Sequence, residues 1–78
     1  MTAKEAANNL RKIHNKLTVT SCKDYDSNYY IFTALEDPNE IDYNCPMYAV
    51  NKRTGKVTYF TPMEDLDKFL DAKYVEFK

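Results

Sequence analysis

The patterns along this chain predict an α+β fold. The expected form is a two-layer α-β-β-β-β-α arrangement, with a four-stranded antiparallel meander and both helices on one face. Three observations lead there. Capping signals at Thr2 and Thr61 each open a segment with helical apolar spacing. Between them lie four short segments rich in β-branched and aromatic residues. The connections joining those segments are short, which makes neighbouring strands antiparallel.

The first helix is expected over residues 3–15. Thr2 and Glu5 form a capping box, in which the Thr2 hydroxyl accepts from the Glu5 amide and the carboxylate reaches back. Ala6, Leu10, Ile13 and Leu17 recur at i, i+4, i+7 and i+11, so they line one face. Residues 17–22 alternate and carry Thr18, Val19 and Thr20, as a strand does. Asp24, Asp26, Ser27 and Asn28 supply a turn. Residues 29–35 are the strongest strand. Tyr30, Phe32 and Ala34 point one way, and Tyr29, Ile31, Thr33 and Leu35 the other. Two apolar faces mark it as a central strand. Residues 36–44 hold Glu36, Asp37, Pro38, Glu40 and Asp42 and read as an exposed acidic loop.

Residues 46–50 and 56–60 read as the third and fourth strands. Gly55 closes the turn between them, since glycine adopts the left-handed conformation that a bulged hairpin needs. Thr61, Pro62 and Glu64 form the second capping box, with Pro at the first helical position. Met63, Leu66, Phe69 and Leu70 make the apolar stripe of the second helix. In the tail, Tyr74 and Phe77 are the residues able to pack.

The run Tyr48-Ala-Val-Asn-Lys-Arg-Thr-Gly-Lys-Val57, after a helix, a strand and a strand rich in Tyr and Phe, resembles PepSY-like and YrhB-like small domains. Their hairpin follows a Val-Asp-Lys-x-Thr-Gly-x-Val type pattern, and Asn51 stands where that pattern often has Asp. The segment Phe60-Thr-Pro-Met-Glu-Asp-Leu66 is similar to small proteins of phages and prophages of Gram-positive bacteria. The resemblance spans most of the chain, and the hairpin is its one sharp motif. It implies this fold and a role in protein binding, peptidase inhibition or immunity.

Composition narrows the function further. Seventy-eight residues make one domain, 1–78. A chain of this size buries only roughly 60–65% of its unfolded surface, so its stability is modest. Seven Tyr and four Phe supply large buried areas for a small core. Eleven basic and twelve acidic residues nearly cancel, which removes any strong attraction for nucleic acid or anionic lipid. No stretch approaches the roughly 20 apolar residues of a membrane span. Residues 1–10 lack the apolar core of a signal peptide, so the cytoplasm is the expected compartment.

Catalysis, metal and cofactor are not expected. Cys22 and Cys45 match neither zinc-ligand spacing nor a redox pair, and read as small core residues; whether they ever pair stays open. His14 is the sole histidine, and a Cys22 nucleophile beside it would need an electropositive setting that nothing in the sequence supplies. Lys52, Arg53 and Lys56 cluster at the hairpin tip as a small anion-contacting patch. If Tyr30, Phe32, Tyr48, Val50, Val57 and Tyr59 form the core face, then Tyr29, Ile31, Leu35, Met47, Ala49 and Phe60 lie on an open one. In a meander the edges would be residues 17–22 and 56–60; Lys56 guards the second, and the uncharged 17–22 edge is the expected place for another strand or a second copy to dock unless the first helix or the 74–77 tail covers it. The expected function is a non-enzymatic protein-binding or assembly module of phage type. Its candidate partner-binding residues are Tyr29, Ile31, Leu35, Lys52, Arg53 and Lys56, and its partner another protein or a second copy. The alternatives are a nucleic-acid accessory protein using the basic tip, or an inhibitor or immunity protein masking an enzyme through residues 36–42 and the second helix.

Overall fold

The computed structural model describes residues 1–35, 47–61 and 65–78. The acidic loop at 36–44, Cys45, and the Pro62, Met63 and Glu64 of the second capping box lie outside the described residues. The elements run α1 (Ala3–Ile13), β1 (Thr18–Asp24), β2 (Tyr29–Leu35), β3 (Met47–Asn51), β4 (Val57–Phe60), α2 (Leu66–Asp71) and β5 (Lys73–Tyr74). The class is α+β, and every strand pairing is antiparallel. The spatial order is β4-β3-β2-β1-β5. Its first four members are the expected meander.

Helix α1 begins where its cap predicts. The Glu5 amide donates to the Thr2 hydroxyl oxygen at 3.2 Å. The Glu5 carboxylate closes the box by accepting from the Thr2 hydroxyl rather than from its amide. The helix buries Ala3, Ala6, Ala7 and Leu10. Three alanines in that stripe let its backbone come close to the sheet. Large side chains rise to meet it: Phe32, Tyr48, Val50, Val19 and Cys22, with Phe77 from the tail. Phe32 is 0% exposed and packs edge-on against Phe77, with ring centroids 6.3 Å apart. Ile13, expected in the stripe, is 58% exposed instead. It is the last helical residue and turns onto the β4 flank.

The β3–β4 hairpin is held by its own residues. The Asn51 carboxamide oxygen accepts from the amides of Arg53 and Thr54. The Gly55 amide donates to the Asn51 carbonyl at 2.8 Å, and Gly55 takes φ 75°. A Cβ at Gly55 would stand 2.3 Å from Nδ2 of Asn9, which itself donates to the Gly55 carbonyl at 3.4 Å. Glycine is therefore required twice over, by conformation and by the closeness of α1.

Two particulars of the expected architecture are corrected. Among the described residues the sheet has five strands, not four: after α2 the chain pairs Lys73 with Asp24 and Tyr74 with Lys23 along the outer side of β1. The Val75 amide extends this by donating to the Cys22 carbonyl at 3.0 Å. Unpaired backbone groups on β1 draw the tail in. The helices also lie on opposite faces. Cys22, Phe32 and Tyr48 face α1, whereas Lys23, Ile31, Ala49 and Phe60 alternate to the other side. Phe69 of α2 packs there, its ring 5.8 Å from that of Phe60. The physical reason is space, because α1 and Phe77 already fill the first face.

Two outcomes check this packing. Phe32→Ala should cost about 3–5 kcal/mol in denaturant unfolding, while Phe69→Ala, at a half-buried site, should cost clearly less. Gly55→Ala should destabilise by about 1–2 kcal/mol for its left-handed backbone alone. Adding Asn9→Ala should recover any further loss that comes from the collision.

Candidate interaction surface

Three lysines, Lys23, Lys52 and Lys68, are engaged within the molecule. Lys52 was assigned to a basic tip, but its side chain folds back from the hairpin. Its ammonium donates to an Asp24 carboxylate oxygen and to the Asp26 carbonyl, and stands 4.6 Å from the Tyr30 ring centroid. Only Arg53 and Lys56 of that trio remain exposed. Lys68 of α2 reaches the Asp26 carboxylate at 3.1 Å and the Tyr25 ring at 4.6 Å. These contacts tie the hairpin and α2 to the turn that follows β1.

Lys23 is the most unusual of the three, at 5% exposed. Its ammonium donates to the Phe69 carbonyl at 2.9 Å and lies 4.1 Å and 4.7 Å from the ring centroids of Phe69 and Tyr74. A cation suits this place because it meets a carbonyl near the C-terminal end of α2 and the negative faces of two rings. Lys23 thus fastens α2 and β5 to β1.

Asp26 shapes the β1–β2 turn. One carboxylate oxygen accepts from the amides of Asn28 and Tyr29, both at 2.8 Å. Partial burial pushes its carboxyl up, but the Asn28 amide, the Lys68 ammonium and the Tyr29 amide together outweigh this and hold it below the ordinary 3.8. Cys22 goes the other way. Burial, and then the Asp24 carboxylate, push its thiol up to about 12, against a smaller downward pull from Lys52. That direction is opposite to the activation of a cysteine nucleophile. The His14 ring packs against Tyr48, tilted by 41° with centroids 5.1 Å apart. Among the described residues no three His, Cys, Asp or Glu side chains gather as a metal site.

The sheet face assigned to a partner is largely occupied. Ile31 is only 2% exposed, and Ala49 is also buried. Phe60 is packed between Tyr25, at 5.2 Å, and Phe69. Tyr29 and Leu35 keep intermediate exposure at opposite ends of β2. The candidate residues therefore do not converge on one surface.

The sheet edges differ more than the faces, and the edge expected to dock a partner, residues 17–22, is the guarded one. β1 is covered at Cys22, Lys23 and Asp24 by the tail, and a bulge interrupts its register between Val19 and Ser21. There Thr20 turns its hydroxyl onto the Thr33 carbonyl at 3.1 Å. Bulges of this kind disrupt further pairing. β4 has neither device. Among the described residues it pairs with β3 alone, and Val57, Thr58, Tyr59 and Phe60 carry no charge. Tyr59 is 77% exposed, with its ring 5.3 Å from that of Tyr48. Ile13, His14, Leu17, Tyr48 and Tyr59 share one cleft of about 250 Å³. The sequence pattern puts Ile13 on the apolar face of the first helix and Tyr59 on one of the two possible core faces of the sheet, yet both are exposed. The signal for Tyr59 was its place on the last strand of the meander, with a neighbour on one side only.

No family model matches the chain, and neither a curated protein nor a solved structure matches it. Among the described residues no helix is long and apolar enough to cross a membrane.

Three outcomes test these local assignments. The charge on Asp26 contributes stability that is complete above the ordinary carboxylate range and is lost as pH falls through its lowered folded value. Asp26→Asn keeps the oxygen that shapes the turn and removes the charge, so the acid limb of the stability profile should flatten. Lys23→Met keeps the apolar stem, and should speed hydrogen exchange at the Val75 amide ahead of the β2 amides. Cys22 should react with iodoacetamide, by peptide mapping, no faster than the chain unfolds.

Proposed function

We propose that this chain is a non-enzymatic protein-binding or assembly module that works by adding a strand to the β4 edge. The observation that carries this reading is the contrast between the edges: β1 is bulged and partly covered, while β4 is uncharged and pairs on one side among the described residues. An edge strand presents a row of backbone donors and acceptors, and main-chain pairing with an incoming strand supplies affinity. Tyr59 and Ile13 add exposed apolar area beside it. Tyr is well suited to such a place, since it offers contact area with few rotatable bonds.

The nucleic-acid alternative has less support, because Lys52 spends its charge on Asp24. What remains at the tip, Arg53 and Lys56, is a small electrostatic footprint.

Tyr59→Lys tests the reading, since a charge on an exposed edge position blocks strand addition while leaving the fold intact. Host proteins retained by the immobilised wild-type chain should be lost from the variant, whose melting temperature should be unchanged. Retention that is equal for both proteins would place the function elsewhere. Salt-sensitive retention of RNA or DNA by both would favour the alternative.

A further inference from the structure

We infer that the strand that β4 accepts is β4 of a second copy, in antiparallel register about a two-fold axis at Tyr59. This rests on the edge reading above and names its partner.

The hydrogen-bond phase of the hairpin sets the geometry. The Asn51 amide donates to the Lys56 carbonyl at 2.9 Å, so Asn51 and Lys56 face each other as a hydrogen-bonded pair. Such pairs alternate along an antiparallel ladder. Ala49 with Thr58 and Met47 with Phe60 are therefore the next bonded pairs in the observed register. The amides and carbonyls of Val57 and Tyr59 then point away from β3, and continuing the alternation turns those of Thr61 the same way. Two copies can pair through these groups about Thr58, Tyr59 or Phe60, and the Phe60 register uses only Tyr59 and Thr61. With Thr58 opposite its counterpart, only Val57 and Tyr59 are used. With Tyr59 opposite its counterpart, Val57 meets Thr61, and all three outward residues of each copy are satisfied. The second register leaves fewer bare groups and is the one assigned.

Charge and layering favour a copy over an unrelated peptide. Residues 57–61 bear no charge, so the strand meets no like charge in itself. The two Lys56 residues fall six positions apart, roughly 20 Å along the strands. The edge is apolar in two layers, with Tyr59 on the sheet and Ile13 on α1 above it. A lone strand would cover the lower layer only. A second copy brings its own Ile13 to the seam, because both helices lie on the same side of a sheet continued by this axis. The Tyr48–Tyr59 ring pair would continue across the axis as a cross-strand ladder.

Sedimentation of the full chain over a range of concentrations decides the matter. The wild type should show a monomer–dimer equilibrium. Tyr59→Lys and Tyr59→Glu should each weaken association by roughly tenfold or more, because like charges then face each other across the axis. Both should keep the wild-type circular dichroism spectrum and melting temperature. An equimolar mixture of the two variants should regain the dimer, since opposite charges then meet. A wild type that stays monomeric throughout overturns the inference, as does a dimer that persists in both variants, or a mixture that fails to associate. A monomeric wild type that still retains host proteins through Tyr59 removes the homodimer alone and leaves the binding reading standing.

Discussion

The contact between the alanine face of α1 and Phe32 sets the position of everything above the sheet. Ala3, Ala6 and Ala7 are small enough for the helix to lie close over β2, and Phe32 fills the space between them and the tail residue Phe77. That closeness also brings Asn9 against the hairpin at Gly55, so the turn between β3 and β4 meets α1 as well as its own strands. A chain of this size has little apolar area to spare. Its first face uses one helix and one tail aromatic, and the second helix is left for the other side.

Cations hold much of the remaining structure together. Lys23, Lys52 and Lys68 each pair an ammonium with oxygen and with an aromatic face. Each contact joins parts distant in sequence, and together they gather the β1–β2 turn, the β3–β4 hairpin and α2. Three of the seven tyrosines have a second use here, since the five rings that face cations are Tyr25, Tyr30, Tyr74 and Phe69, with Phe77 beneath Arg11. Charge in this protein serves internal attachment as much as solubility. The near-zero net charge hid this, because a sum carries no information on pairing.

The two sheet edges follow from the same economy of material. The tail that brings Phe77 into the core passes along β1 on its way, covering part of that edge. β4 lies at the far side of the sheet, with Ile13 of α1 near Tyr59 on one face and Phe69 of α2 against Phe60 on the other, and among the described residues neither pairs with its outer backbone.

Features set by neighbours in sequence were legible without the structure. Thr2 and Glu5 marked the start of α1, the alternation of residues 29–35 marked β2 to both ends, and Asn51 with Gly55 marked the hairpin. Each depends on backbone chemistry within a few residues, so the sequence by itself determined the α+β class, the order of elements and the antiparallel meander. The tertiary structure alone decided the fifth strand, the face taken by α2, the exposure of Ile13 and Tyr59, and the withdrawal of Lys52 from the basic tip. Those outcomes depend on which of several competing partners meets a side chain across long separations, as when Lys23 meets Phe69 and Tyr74. Local pattern holds no record of that competition, because space and charge settle it only once the chain has closed on itself.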